Sequence, residues 1–279
     1  MANDLYQTVT NSIIEAIEEG VKPWECPWQQ SPLGIMPANY KTKTAYSGVN
    51  VLVLWAVASK VGYQTNAWLT FKQAKELGGN VRKGEKSVSC VFFKNVVQDN
   101  DGDESTTTYP MIKPFWLFNA DQIDGIDFSD LRPTSEGSTF DPIEKAEKTL
   151  LQSGAVIKEQ GDRALYVPSQ DMIVMPEKAR FSNTEDYYTT IFHELTHWTG
   201  HPTRLNRDFG KRFADDAYAF EELIAELGSA FINAELNING TLEHASYLDH
   251  WLKILKQDKR AIFTAASQAS KAHQWIVNG

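Results

Sequence analysis

The stretch IFHELTHWTGH, residues 191–201, holds three histidines and one glutamate within a segment of helical composition. On an α-helix, positions i and i+4 lie on one face, so His193 and His197 can present both imidazoles to one metal ion. Glu194 stands beside them, where its carboxylate can take a proton from water. The HExxH spacing therefore predicts a catalytic metal site of metallopeptidase type, with Zn²⁺ as the expected ion and Mn²⁺ as the alternative.

A third protein ligand must come from elsewhere, because catalytic zinc sites usually have three ligands and one open position. His201 continues the i+4 series, but it lies about 12 Å of helix rise from His193, too far to share one ion. The longer motif H-E-x-x-H-x-x-G-x-x-H needs a histidine at the position of Thr203. The third ligand is therefore neither His201 nor a histidine at position 203.

A glutamate on the next predicted helix, in FEELIAELGSAF, is the remaining candidate. Glu222 and Glu226 are four residues apart and share a face, so one can bind the ion while the other accepts a hydrogen bond from a ligand histidine. Glu221 faces elsewhere and is the weaker choice. The spacing leaves the order of Glu222 and Glu226 open. The segment resembles the E-x-x-A-D and E-x-x-A-N helices of metallopeptidases with His, His and Glu ligands, and this likeness favours Glu222 as ligand and Glu226 as its support.

The same residues have a plainer interpretation, in which Glu222 and Glu226 belong to a solvated acidic face and the histidines are ordinary helix residues. The helix carries an apolar stripe, however, which brings its carboxylates close to the core. A buried carboxylate needs a partner, and a metal ion held with two histidines would supply one. The stripe consists of Leu223, Ile224, Leu227 and Phe231.

Peptide hydrolysis would require two further features. An exposed edge strand would align an extended peptide, and DMIVMP, residues 171–176, has strand composition. A hydrogen-bond donor must also face the oxyanion that develops on the scissile carbonyl. The sequence does not choose among four donors: Tyr187, Tyr188, His201 and Tyr218.

The amino-terminal part of the chain differs in charge from the rest. The formal net charge of the chain is −9, yet the segment from Lys22 to Gln98 has ten Lys or Arg residues and three acids. Basic residues interleaved with aromatics are typical of surfaces that bind single-stranded nucleic acid. The predicted DNA-binding residues are Lys41, Lys43, Tyr46, Trp68, Lys72, Arg82, Lys83 and Lys86. The alternative is that the aromatics are core residues and the basic residues form a solvated face.

Patterning along the 279 residues predicts an α+β protein with two domains, because the chain is longer than one core usually supports. Residues 1–130 mix helical and strand segments and form the predicted α+β DNA-binding domain. Residues 131–141 are rich in Pro, Gly, Ser and Thr and predict a linker. Residues 142–279 predict a mainly helical domain with a small β-sheet, which carries the histidine motif.

Composition also excludes several classes of protein. No apolar run approaches the roughly 18 residues of a membrane span, and the amino terminus lacks the layout of a secretion signal. We therefore expect a cytoplasmic location and no membrane partner. The two cysteines, Cys26 and Cys90, are too few for a disulfide framework or a Cys-rich zinc site. They also cannot form the P-C-x-x-C pair of a nucleobase deaminase.

Four segments resemble, in sequence and order, the ArdC-type antirestriction proteins of conjugative plasmids: GVKPWECPW, PANYKTKTAYSGVNVLVL, WLTFKQAKELGGNVRKGEKS and HELTHWTGH. The resemblance implies a single-stranded DNA-binding domain joined to a zincin-like metallopeptidase domain, with the zinc motif at His193, Glu194 and His197. It implies protection of incoming plasmid DNA from host restriction during conjugation, with single-stranded DNA and a restriction-related protein or peptide as partners. The alternative is a non-catalytic protein that coats single-stranded DNA and holds a structural metal ion.

Overall fold

The computed structural model describes residues 4–25, 36–99, 106–131, 142–207, 216–240 and 247–278. Within these ranges the α-helices are α1 (Leu5–Glu18), α2 (Val49–Val61), α3 (Phe71–Glu76), α4 (Pro142–Ser153), α5 (Thr184–Thr199), α6 (Asp216–Leu236), α7 (Leu248–Gln257) and α8 (Ala261–Asn278). The β-strands are β1 (Ala38–Asn39), β2 (Ala67–Leu69), β3 (Asn80–Val81), β4 (Val88–Asp99), β5 (Thr106–Asn119), β6 (Ile123–Asp124), β7 (Val156–Glu159), β8 (Leu165–Val167) and β9 (Met172–Met175). This two-domain α+β architecture confirms the predicted fold class. Among the helices described, none has the length and apolar character needed to cross a membrane.

A four-stranded sheet with strand order β1-β2-β5-β4 forms the centre of the amino-terminal half. Strands β4 and β5 pair antiparallel, from Val88 opposite Leu117 to Asp99 opposite Thr106. Strands β4 and β5 therefore form a hairpin. Residues 100–105, between the two strands, lie outside the described residues.

Helix α2 packs along this sheet and is buried on nearly all faces, as its continuous apolar sequence predicts. It ends at Gly62, whose φ of +80° is left-handed and suits a glycine. Near its start, the side-chain amide of Asn50 donates to the carbonyl oxygen of Val91 (2.8 Å) and accepts from its N–H group (2.9 Å). Because β4 is an edge strand of the sheet, this pairing satisfies backbone groups that would otherwise be open at that point.

One hydrophobic cluster joins the two halves of the protein. It includes Ile13 of α1 and Trp55 of α2 together with Leu227 and Phe231 of α6. The rings of Trp55 and Phe231 lie 6.0 Å apart. Helix α6, which carries the candidate ligand Glu222, therefore packs directly on the amino-terminal helices. The predicted linker falls almost entirely on residues 132–141, outside the described residues.

The second sheet has the strand order β7-β9-β8, with β9 parallel to β7 and antiparallel to β8. The prediction that DMIVMP is an exposed edge strand is wrong, because β9 is the central strand and all four of its residues are buried. Its sequence MIVM is apolar at every position, which is typical of a strand covered on both faces. Of the strands described in this sheet, β7 and β8 form the edges.

Candidate metal centre and nucleic-acid interface

Helix α5 places the two motif histidines one turn apart and against α6. The side chain of Asn183 caps the helix by accepting from the N–H group of Asp186 at 2.8 Å. From Tyr187 onward the helix is almost continuously buried. The Nε2 atoms of His193 and His197 consequently lie 3.2 Å apart in the protein interior. Two imidazole nitrogens at this separation can both reach one cation.

Glu222 of α6 completes a cluster of three buried donors. Its Oε2 atom lies 3.4 Å from Nε2 of His193, and its Oε1 atom lies 3.5 Å from Nε2 of His197. One ligand atom from each of the three residues falls within 4.8 Å of the others, so together they could hold a metal ion. Two imidazoles and one carboxylate form a donor set that Zn²⁺ and Mn²⁺ both accept. The ligand roles of the three residues stay a prediction that this geometry supports.

A carboxylate stands behind each histidine. Oε2 of Glu226 lies 3.7 Å from Nδ1 of His193, the position expected of a supporting residue. Glu221 lies against the other ring, where Nδ1 of His197 donates to its Oε1 atom at 3.2 Å. The sequence predicts that Glu221 faces away from the histidines, and this prediction is wrong. Glu221 contacts His197, while Glu222 contacts both His193 and His197. Such carboxylates orient metal-binding imidazoles and fix their tautomers.

Arg207 holds Glu221 in place. Its guanidinium donates to the carboxylate through Nε (3.0 Å) and Nη2 (2.8 Å). Bidentate ion pairs of this kind are among the stronger ones. The same group donates to the hydroxyl of Thr199 (2.9 Å) and to the carbonyl oxygen of Thr196 (2.6 Å). Arg207 and Glu221 are both almost completely buried. The end of α5 is thereby tied to α6 at the level of the metal site.

The buried charges of the cluster shift one another's pKa values. Burial alone would lower the pKa of His197, but the carboxylates of Glu221 and Glu222 outweigh burial and raise it to about 10. Burial would raise the pKa of Glu222, and its contacts with His193 and His197 reverse that effect and lower it. In the metal-free protein His197 therefore carries a proton at neutral pH. A metal ion must displace that proton to bind there.

Glu194, the predicted catalytic base, lies against the edge strand β8 of the sheet β7-β9-β8. Its Oε2 atom accepts a hydrogen bond of 2.7 Å from the backbone N–H group of Tyr166, which lies on the edge strand β8. The Tyr166 hydroxyl donates to Asp171 at 2.9 Å, and Asp171 also accepts from Arg204 at 3.0 Å. These contacts fix the β8–β9 turn against the region that follows α5, so β8 and the motif helix keep a defined relation.

The four oxyanion donors proposed from the sequence occupy different surroundings. The hydroxyls of Tyr187 and Tyr188 donate to carboxylates outside the metal cluster. His201 lies beyond the end of α5, and its Nδ1 atom interacts with the hydroxyl of a neighbouring threonine. Tyr218 stands next to Glu222, and burial together with the charge of that carboxylate raises the pKa of the Tyr218 phenol. Tyr218 is therefore a neutral donor at the edge of the cluster.

Of the two aromatic residues predicted to bind DNA, one belongs to the core and the other packs against it. Trp68 is completely buried in the cluster between the sheet and α2, so its ring cannot receive a base. Tyr46 is partly buried, stacks on Phe115 at a centroid distance of 6.2 Å, and accepts a hydrogen bond from Asn39. We therefore withdraw Trp68 from the predicted interface, whereas the role of Tyr46, which is only partly buried, stays a prediction. Composition does not distinguish the two faces of the strand that carries Trp68.

The predicted basic residues lie at the surface, and four of them pair with carboxylates: Lys41, Lys43, Lys72 and Arg82. Exposed pairs of this kind contribute only about 0–1 kcal/mol, so a phosphate can replace the carboxylate. Lys83 and Lys86 are exposed and form no ion pair with the parts of the chain that are described. Lys86 lies at the rim of a cavity of about 550 Å³ between α1, α2 and the start of β4.

Two family models match the chain, one for each half. Residues 3–118 match the N-terminal domain of the anti-restriction factor ArdC. Residues 144–268 match a zincin-like metallopeptidase, a range that includes the three candidate ligands and Glu194. The two matches lie in the order that the sequence resemblance implies.

Three individual relatives match almost the whole length of the chain. The chain is 38% identical to the uncharacterized protein y4eC of Sinorhizobium fredii, over 98% of this chain and 91% of that protein. It is 36% identical to each of two Escherichia coli proteins named DNA primase TraC over 98% of its own length, but it spans only 27% and 20% of their lengths.

Two solved structures have a fold similar to that of this chain. The metal-free crystal structure of the antirestriction protein ArdC from plasmid R388 superposes with a TM-score of 0.82 at 41% identity, covering 98% of this chain and 96% of that one. The Mn(II)-bound crystal structure of the same protein superposes with a TM-score of 0.81, again at 41% identity, covering 99% and 97%. The chain therefore belongs to the ArdC family of antirestriction proteins.

Proposed function

We propose that this protein binds single-stranded DNA through its amino-terminal half and hydrolyses a peptide bond at the cluster formed by His193, His197 and Glu222. The protein would protect incoming plasmid DNA during conjugation, in the cytoplasm of the recipient cell, where that DNA meets restriction enzymes. The observation that carries the hydrolase proposal is the convergence of three buried donors within 4.8 Å beside Glu194. The Mn(II)-bound relative supports a divalent ion, with Zn²⁺ expected and Mn²⁺ as the alternative.

The residues around the cluster have distinct roles in this proposal. A divalent ion held there would polarise the scissile carbonyl and make a water molecule more acidic. Glu194 would take the proton from the attacking water and later deliver it to the leaving amine. The N–H group of Tyr166, which donates to Oε2 of Glu194, would hold the carboxylate in one orientation while it takes up the proton. Tyr218 would donate a hydrogen bond to the carbonyl oxygen as negative charge develops on it.

The substrate would be an extended peptide aligned on β8. The outer edge of β8 lies against Glu194, because the N–H group of Tyr166 donates from that strand to the Glu194 carboxylate. That N–H group is thereby occupied, so a peptide added along this edge would bond to the remaining backbone groups of the strand, and its scissile bond would be brought beside the motif helix. The peptide recognition surface is therefore β8, not β9.

The decisive experiment compares Glu194→Gln with the native protein. Glu194 is not among the three donors of the cluster, so the variant should keep its metal content and melting temperature while losing hydrolysis of a peptide library. His193→Ala serves as the control that loses both metal and hydrolysis. Peptide cleavage at the native rate by Glu194→Gln would refute the assigned base.

The same variant separates the hydrolase from a protein that only coats DNA. If Glu194→Gln protects transferred DNA from restriction as well as the native protein does, hydrolysis is not needed for protection. The metal would then have a structural role.

A further inference from the structure

On the basis of the DNA-binding function proposed above, we propose that Trp116, Phe118 and Phe71 form a platform on which the bases of single-stranded DNA stack, with Lys72 and Lys75 beside it for the phosphates. Trp116 is 55% exposed and Phe71 is 53% exposed. An indole and a phenyl ring that remain in water on neighbouring elements of a folded protein often mark a binding surface.

The strand geometry explains why these rings face outward. Side chains alternate along β5. Leu117 and Asn119 are completely buried, so Trp116 and Phe118 lie on the opposite, outer face. The residue opposite Trp116 on β4 is Ser89, whose small side chain does not cover the indole.

The row of rings continues from the strand onto α3. Phe71 is the first residue of that helix, and its ring meets the ring of Phe118 edge-on at a centroid distance of 6.3 Å. Phe118 is partly buried against the layer beneath α3. The row thus has a fixed middle member between two exposed rings, which limits the conformational freedom lost when a base stacks on it.

The charge beside the platform fits a polyanion. Lys72 has a side chain that is 87% exposed, and Nζ of Lys75 lies 5.7 Å from the centroid of the Phe71 ring. The carboxylate of Glu76 pairs with both Lys72 and Lys41, so the lysines outnumber the acid at this end of the sheet. A mixture of exposed rings and lysines provides stacking for bases and counter-charge for phosphates.

A single strand suits this surface better than a duplex. The faces of bases in a duplex are already stacked on one another, whereas an unpaired strand can lay its bases on aromatic side chains. Stacking of this kind tolerates any sequence, because every base has a flat aromatic face. The platform therefore predicts binding with little sequence preference and a marked preference for single strands.

The test compares Trp116→Ala with Trp275→Ala in the full-length protein. Trp275 is also exposed, at 42%, but it lies on α8 in the carboxy-terminal half. With a labelled oligothymidylate as probe, Trp116→Ala should raise Kd about tenfold, and Trp275→Ala should leave it unchanged. Trp116→Phe should restore most of the affinity, because it retains an aromatic face. Melting temperatures measured for all variants should match that of the native protein.

The outcomes separate the platform from the DNA-binding function. If the native protein binds the oligonucleotide and Trp116→Ala binds it equally well, the platform is refuted while DNA binding stands. If the native protein does not bind it, the proposed DNA-binding function fails and the platform fails with it. Loss of protection by Trp116→Ala with unchanged DNA affinity would assign this face to a protein partner and would also overturn the inference.

Discussion

The metal centre and the proposed DNA-binding face hold their side chains in opposite ways. At the metal centre, His193, His197 and Glu222 are buried, and Glu221 and Glu226 stand behind the rings. On the proposed DNA-binding face, the lysines reach into solvent and, among the described residues, form weak exposed ion pairs or none. Single substitutions should therefore have large effects at the centre, whereas substitutions of single lysines on the face should have small, roughly additive effects.

This contrast follows from the chemistry of the two ligands. A metal ion requires a few donor atoms at fixed distances, so the protein must exclude water and orient each donor through a second residue. A DNA strand is a long polyanion, and its affinity is the sum of several contacts with mobile side chains. Rigidity is required at the first kind of site, whereas the lysines of the second can stay mobile.

The largest effect is expected for Glu222→Gln, which removes the anionic donor from the cluster and should abolish measurable metal binding. Glu226→Gln should weaken metal binding about 10- to 100-fold, because Glu226 only supports His193. Competition between each variant and a chromogenic chelator for Mn²⁺ measures both affinities. If Glu226→Gln loses more affinity than Glu222→Gln, the two glutamates have the reverse roles.

The next largest effect is expected on the stability of the fold, for Arg207→Leu. The substitution leaves the carboxylate of Glu221 buried without its guanidinium partner, and breaking a buried pair costs about 3–5 kcal/mol. Denaturant unfolding of the metal-free protein measures the loss. Arg204→Leu is the matched control, because its partner Asp171 is partly exposed and can be solvated. If the two variants lose the same free energy of unfolding, burial of the ion pair between Arg207 and Glu221 does not explain its contribution to stability.

The pH dependence of metal binding should be strong. His197 has a pKa of about 10 in the metal-free protein, so below that pH a metal ion must displace its proton. Affinity for Mn²⁺ should therefore rise about tenfold per pH unit between about pH 6 and pH 9, because one proton is released per ion bound. Glu221→Gln removes a carboxylate that raises this pKa, and the dependence should level off at a lower pH. The same chelator competition, repeated across that range, measures both profiles.

The sequence was informative where spacing fixes geometry. His193 and His197 share a helix face at i and i+4, and their convergence in the structure needs only that helix to form. Glu222 and Glu226 follow the same rule on α6. Glu221 was missed because the rule describes one helix at a time, whereas its contact with His197 depends on how α5 and α6 cross.

The sequence was less informative where tertiary packing decides exposure. Trp68 and Trp116 lie in similar strand sequences, yet one is completely buried and the other is largely in water. Only the pairing of β2, β5 and β4 and the position of α2 determine which face each ring occupies. The central position of β9 likewise depends on β7, whose short sequence VIKE carries little signal of a strand.

The smallest effects are expected for Lys83→Ala and Lys86→Ala on the turn before β4. Each substitution removes one cation that has no ion pair among the described residues, so Kd for single-stranded DNA should rise only about two- to fivefold at moderate salt. The slope of log K against log salt should become shallower by about one per lysine. Lys253→Ala is the control, because Lys253 is also exposed but lies on α7 in the carboxy-terminal half, where it pairs with Asp216 at the surface. An identical salt slope in all three variants would show that DNA does not contact this turn, and the contrast between a rigid centre and an additive face would then rest on the platform lysines alone.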